Sequence, residues 1–212
     1  MLRRSLPALT LGVAMLLLAS CNCGGPATTS SAPSTKASST PTKAGQYVTV
    51  DACTLISAQD ASDATGTPLT QLPGGAGASQ VSICLFGSQP NAQNPQPSPS
   101  QAGVLIIAEV YADTNAAEAV QSDQVAAALG AQFGVTGVGT AKVVTGIGDK
   151  AVEYSATRAG GGGFGIFVFR SNVVMFIVVS PADQTQKTLD ALPGKVEILA
   201  KAAVTGLDKA KP

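Results

Sequence analysis

Histidine and tryptophan are absent from this chain, and aromatic residues make up only 4% of it. The missing histidine excludes Ser-His-Asp and Cys-His nucleophilic catalysis, the imidazole ligands of most catalytic zinc sites, and the commonest proton shuttle near neutral pH. Charge is scarce too: Asp, Glu, Lys and Arg together are 12% of the residues. Only four glutamates occur, at positions 109, 118, 153 and 197, and no two carboxylates stand out as a glycosidase-like acid and base. The basic residues are not clustered, which argues against nucleic acid as a partner, because phosphate binding needs grouped Lys and Arg. No cofactor or metal is expected, and the chain reads as a non-enzyme. A long apolar run is missing as well. The longest near the N-terminus, Ala8 to Leu18 with Thr10 and Gly12 inside it, falls short of the ~20 residues that a membrane-spanning helix needs.

That short run has another reading. Arg3 and Arg4 precede it, and Leu18-Ala19-Ser20-Cys21 follows. A positive start, an apolar core of roughly a dozen residues and small residues before a cysteine form a signal peptide over residues 1–20. The tetrapeptide resembles the bacterial lipobox, whose cysteine sulfur takes a diacylglycerol thioether. Cys21 is therefore the expected lipidation site. Cys23 lacks the preceding Leu and suits that role poorly. Each buried CH₂ of the acyl chains contributes about 0.8 kcal/mol, so two chains hold firmly. The expected location is the outer face of the plasma membrane, with the membrane itself as first partner.

Residues 21–46 read as a tether. Ten of the 16 residues from Thr28 to Lys43 are Ser or Thr, with no acid among them. Such a composition cannot bury enough apolar area to offset ordering entropy. Beyond the signal peptide, 11 basic residues stand against 13 acidic ones, a nearly neutral balance.

Residues 47–209 read as one domain. DACTLISAQDASDATG predicts a helical opening, with Ser57 and Asp60 as a capping pair and Gly66 as the stop. Strands are predicted at 68–72, 80–86 and 103–111, the last two joined by the Pro-rich stretch QPNAQNPQPSPSQ, read as a surface loop. A second helix is expected after Thr114 as its cap, running towards Gly130. AVEYSATR alternates Val152, Tyr154 and Ala156 against Glu153, Ser155 and Thr157, as a half-exposed strand does. GGGG at 160–163 and Ser171-Asn172 then serve as turns of a meander that ends in VVMFIVVS. Ser180-Pro181-Ala182-Asp183 reads as a helix start, and Val196, Leu199, Ala203 and Leu207 mark an amphipathic C-terminal helix. The fold class that follows is α+β, an antiparallel sheet packed by helices.

GIGDK at 146–150 lacks the spacing of a phosphate loop and precedes a strand, so it reads as a tight turn. VVMFIVV without alternation predicts a strand covered on both faces, or one lining an apolar cavity. Cys53 and Cys84 lie 31 positions apart in a chain expected to be exported, and with no histidine for a zinc site they read as a disulfide.

The opening DACTLISAQDASDATG, then SICLF, GIGDKAV and the closing helix together resemble the small secreted lipoproteins of actinobacteria grouped as a domain of unknown function. That family has a C-x-L-[IL]-[ST] opening whose cysteine pairs with a second one on an early strand. The resemblance spans most of residues 47–207 and implies location and the Cys53–Cys84 pairing, with no activity. The Pro-rich stretch and the Gly-rich tip match no part of it. Two functions fit these readings. One is a binding or sensor-like module engaging an envelope protein or wall component; the other is a carrier holding a lipid or apolar ligand beside the sheet. A connected apolar cavity would mark the carrier, and a closed core the surface-binding module.

Overall fold

The computed structural model describes residues 46–73, 77–88, 102–126, 135–158 and 161–211. The predicted signal peptide, Cys21, Cys23, the tether up to residue 45 and the whole Pro-rich stretch 89–101 lie outside these residues.

The domain is α+β. Its core is an eight-stranded sheet, every pairing antiparallel, in the order β1-β2-β3-β8-β7-β6-β4, with β5 also paired to β6. The strands are β1 (Thr70–Gln71), β2 (Val81–Gly87), β3 (Gly103–Val110), β4 (Val135–Val138), β5 (Lys142–Val144), β6 (Lys150–Arg158), β7 (Gly161–Arg170) and β8 (Val173–Ser180). β6, β7 and β8 form the expected meander. The two short strands β4 and β5 carry too few alternating residues to announce themselves in the sequence.

A 3-10 turn, Ala52–Thr54, leads into α1 (Ala58–Thr65). Its capping box is the predicted one: the Ser57 hydroxyl accepts from the Asp60 amide, and Asp60 accepts from the Ser57 amide. Gly66, at φ +72°, ends the helix in the left-handed region. α2 (Thr114–Glu118) is capped by Asp113 rather than Thr114, because the Asp113 carboxylate takes the Ala116 amide at 2.8 Å. The predicted single helix is also broken: helical structure resumes at 122–126 as α3.

The C-terminal helix, α4 (Gln186–Lys209), begins later than Ser180-Pro181 suggests. Thr185 is its N-cap, and Asp183 accepts from the Thr185 amide and both threonine hydroxyls. These bonds hold the Asp183 carboxyl below its ordinary value, the Thr188 hydroxyl contributing most. Val196, Leu199, Ala203 and Leu207 are all buried, as their spacing predicts.

Two cores flank the sheet. On one face α1 and α4 pack against Val104, Ile106, Ile166, Val168, Met175, Ile177 and Val179. On the other, Ala117 of α2 and Ala126 of α3 join Val152, Tyr154, Phe167, Phe169 and Val174. Coverage of both faces explains why VVMFIVV shows no alternation. It also corrects the reading of AVEYSATR at one position: Ser155 and Thr157 are exposed as expected, but Glu153 is only 2% exposed, paired with Ile166 of the core that α4 shares. The Gly-rich tip is corrected likewise. Gly161, Gly162 and Gly163 lie inside β7, paired with Arg158, Thr157 and Ala156.

Candidate functional site

Cys53 and Cys84 form the disulfide, with Cα atoms 5.0 Å apart. Cys84 sits in β2 with its side chain in the core, and Cys53 belongs to the 3-10 turn beside it. Next to the bridge the Ala52 amide donates to the Ser82 hydroxyl at 3.0 Å, and Val50 forms a two-way backbone bridge with Ser79. These contacts bind the start of the domain to one edge of the sheet. The lipidation site expected at Cys21 lies outside the described residues.

On the opposite face of that same edge the sheet is bare. β2 alternates strictly: Ser82, Cys84 and Phe86 point into the core, while Val81, Ile83 and Leu85 are 51%, 44% and 43% exposed. The register carries this row inward. Ile83 lies opposite Ile107, Ile107 opposite Phe176, and Phe176 opposite Phe167. Leu85 leads in the same way to Leu105, Val178 and Gly165. Leu105, Ile107, Phe176 and Val178 are half-buried, so the row is less exposed on β3 and β8 than on β2. Phe176 marks the border. Its ring stacks on Phe167 at 4.2 Å, and it lies where a Cβ on Gly165 would meet it at 3.0 Å, so only glycine leaves that seat open.

The patch is almost uncharged. Glu109 is the only ionisable residue on β2 or β3, and it accepts from the Tyr111 hydroxyl at 2.8 Å. Burial, followed by that hydrogen bond, raises the Tyr111 phenol well above its ordinary value. Edge strands ordinarily carry Lys, Pro or inward charges that deter sticking. β2, bordered at Phe86 and Gly87 by the two-residue edge strand β1, carries none, and its exposed apolar row is a surface of the kind that engages partners.

Two other features compete for attention. A groove of about 520 Å³ opens between α1 and the end of α4, lined by residues that include Thr54, Ser57, Asp60, Thr205 and Lys209. A smaller one of about 110 Å³ continues it along Ala64, Lys195 and Ile198. The second feature is Glu153, whose Oε1 takes the Lys142 ammonium at 2.7 Å while the buried Oε2 has no hydrogen-bond partner. That single pairing raises the Lys142 ammonium above its usual range. Among the described residues no group of three or more His, Cys, Asp or Glu could hold a metal ion. None of their helices is long and apolar enough to cross a membrane.

Sequence reasoning missed the bare face, although its signal was present. SICLF sits in a strict alternation, VSICLFG, that places Val, Ile and Leu on the side opposite the disulfide cysteine. It also missed Asn172, read only as a turn residue. Asn172 is buried, accepts from the Tyr47 amide and donates to the Tyr47 and Tyr111 carbonyls, closing the domain at its entry point. No protein-family model matches the chain, and neither does any curated protein, so its assignment rests on the fold and on this surface alone.

Proposed function

We propose that this protein is a lipid-anchored, non-enzymatic binding module on the outer face of the plasma membrane, and that it engages a protein through the bare apolar half of its sheet. The observation that carries the reading is the exposed row Val81, Ile83 and Leu85 on a face whose Val152, Tyr154, Phe167, Phe169 and Val174 are buried with Ala117 and Ala126 of the helices. Scattered exposed apolar residues need no explanation, but a contiguous row on a sheet edge does. The anchor reading rests on Leu18-Ala19-Ser20-Cys21. Binding on a face, rather than carriage of a lipid in a cavity, is supported by where the grooves lie. They run along α1 and α4, on the far side of the sheet, and the larger one is lined by polar groups such as Thr54, Ser57, Asp60, Thr205 and Lys209 about as much as by apolar ones. The resemblance to actinobacterial lipoproteins agrees with this location and adds no activity.

Cys21→Ala is expected to abolish incorporation of radiolabelled palmitate and to remove the chain from the membrane fraction, whereas Cys23→Ser leaves both intact. Labelling that survives Cys21→Ala and vanishes with Cys23→Ser would move the anchor to Cys23.

A further inference from the structure

Among the described residues Glu153 is the only charged side chain that the fold buries. It stands on β6 between Ala151, fully buried, and Ser155, which is exposed, and its partner across the strands is the buried Ile166 of β7. Ala151 and Ile166 have no hydrogen-bonding side chain, so the carboxylate lies at the rim of a dry core between apolar neighbours. A carboxylate has room for about four donors. Here Oε1 takes the Lys142 ammonium at 2.7 Å, and the buried Oε2 takes none. A buried charge served so poorly costs stability, and departures of this kind collect at sites that bind something.

The resident partner is loosely held. The Lys142 side chain is 68% exposed and comes to Glu153 from the solvent side. Its backbone belongs to β5, three residues at the edge of the sheet, and the neighbouring Val143 is just as exposed. The Glu153 hydrogen bond is the main cause that raises the Lys142 ammonium, and Glu197 of α4 adds to it. Two carboxylates therefore act on one ammonium, and the rim keeps a negative charge that a further cation offsets.

We propose that Glu153 is the floor of a binding site for a primary ammonium group on a slender alkyl stem, with Lys142 as its resident occupant and a small alkylamine or diamine as its ligand. The chemistry selects this class. A divalent cation of the calcium type takes six or more oxygens, and no group of three or more His, Cys, Asp or Glu among the described residues could hold a metal ion. A flat guanidinium fork needs both carboxylate oxygens open side by side, and Oε2 is buried. A quaternary ammonium has no N–H to give. A primary ammonium carries three donors on a compact head and fits the path that Lys142 already takes to Oε1. Free of the β5 backbone, it can turn a second N–H towards Oε2. The site lies on the opposite face of the sheet from Val81, Ile83 and Leu85 and does not depend on the binding face proposed above.

Competition with the resident lysine sets the affinity. A group on a short tether acts at an effective concentration in about the millimolar range, so a ligand has to outcompete it in the parent protein. In Lys142→Ala the competitor is gone.

The test titrates the full-length protein with cadaverine, and with tetramethylammonium and sodium chloride at equal ionic strength as controls. Melting temperature and the amide NMR shifts of residues 142–144, 153 and 166 are followed. Lys142→Ala is expected to gain melting temperature saturably with cadaverine and to bind it at least about tenfold more tightly than the parent, as loss of a tethered competitor requires. Glu153→Gln, alone or combined with Lys142→Ala, is expected to lose the response. Nα-acetyl-lysine acting as well as cadaverine upholds the site and extends it to lysine side chains; no response to it upholds the site for free amines alone. Equal stabilisation by tetramethylammonium overturns the proposal, because charge screening then accounts for the effect. An undiminished response in Glu153→Gln overturns it too. If Lys142→Ala does not fold, the parent protein decides. Saturable shifts at 142 and 153 with cadaverine, and none with tetramethylammonium, uphold the site, and their absence well above millimolar cadaverine overturns it.

Discussion

The same register row runs through two differently treated halves of one sheet face. In the half formed by β6, β7 and β8, Phe167 is covered by the core that includes Ala117 and Ala126, and it stacks on Phe176 and meets Tyr154 edge-on at 5.9 Å. In the half formed by β2 and β3, Ile83 occupies the equivalent place in the row and faces water. The backbone hydrogen bonding of the two halves is alike. What differs is that, among the described residues, α2 and α3 pack on β8, β7 and β6 through Ala117 and Ala126, with Ser122 bonded to the Tyr154 hydroxyl at 2.8 Å. A sheet face is apolar on both sides wherever it has to be covered twice. β2 has the composition of a doubly covered strand with cover on one side only, and that mismatch is the strongest pointer to function in the molecule.

Substitution along the row makes the contrast measurable. Phe167→Ala is expected to cost about 3–5 kcal/mol, because it removes a ring from a closed core and leaves a cavity. Ile83→Ala, in the same row, is expected to change stability by about 0.5 kcal/mol or less in the isolated protein, as surface substitutions do. Denaturant unfolding of the two variants checks this. Comparable losses would mean that the patch is covered after all.

The bare half is held by the disulfide instead. With Cys53 and Cys84 31 positions apart, the paired substitution Cys53→Ser and Cys84→Ser is expected to cost about 3–4 kcal/mol in the chain-entropy account. Reduction should destabilise the parent protein and leave the double variant unchanged. A bridge whose loss costs nothing would mean that Val50–Ser79 and Ala52–Ser82 suffice to hold that edge.

A smaller effect is expected at Glu153, in the covered half. Lys142→Ala leaves a buried carboxylate without its only ionic partner, whereas Glu153→Gln removes the charge and keeps the shape. The melting temperature is expected to fall more for Lys142→Ala than for Glu153→Gln. The reverse order would assign Glu153 a stabilising role that its unpartnered Oε2 gives no reason to expect.

The smallest effect belongs to the exposed Arg170–Asp208 pair, bonded at 2.9 Å where α4 ends beside β7. The Arg170 hydrogen bonds are the main cause that lowers the Asp208 carboxyl, burial working against them. A carboxylate lowered in the folded state stabilises above its unfolded value, and that contribution disappears as pH falls below about 4. With both side chains more than a third exposed, it amounts to less than about 1 kcal/mol. The stability gap between the parent protein and Asp208→Asn is expected to close on acidification. A gap that persists at pH 2 would assign the effect to packing.

The sequence by itself determined the elements whose signals are local. Ser57 and Asp60 can satisfy each other's amides only at a helix start, Gly66 alone takes the left-handed stop cheaply, and the spacing of Val196, Leu199, Ala203 and Leu207 permits one buried face. Two cysteines in a chain without histidine had few other uses, and their bridge was legible before any coordinates. Tertiary structure decided what covers what. Alternation assigns Glu153 to one face and Val152 to the other, but only the tertiary packing around Ile166, its neighbour on β7, buries Glu153 while Ser155 and Thr157 stay exposed. The same alternation in β2 puts Val81, Ile83 and Leu85 on one side without saying whether a helix lies over them. Burial depends on elements distant in sequence, and here Ala117 of α2 and Ala126 of α3 join the cluster of Val152, Tyr154, Phe167, Phe169 and Val174 while Val81, Ile83 and Leu85 stay exposed. The candidate site exists because the row that is buried at Phe167 is exposed at Ile83.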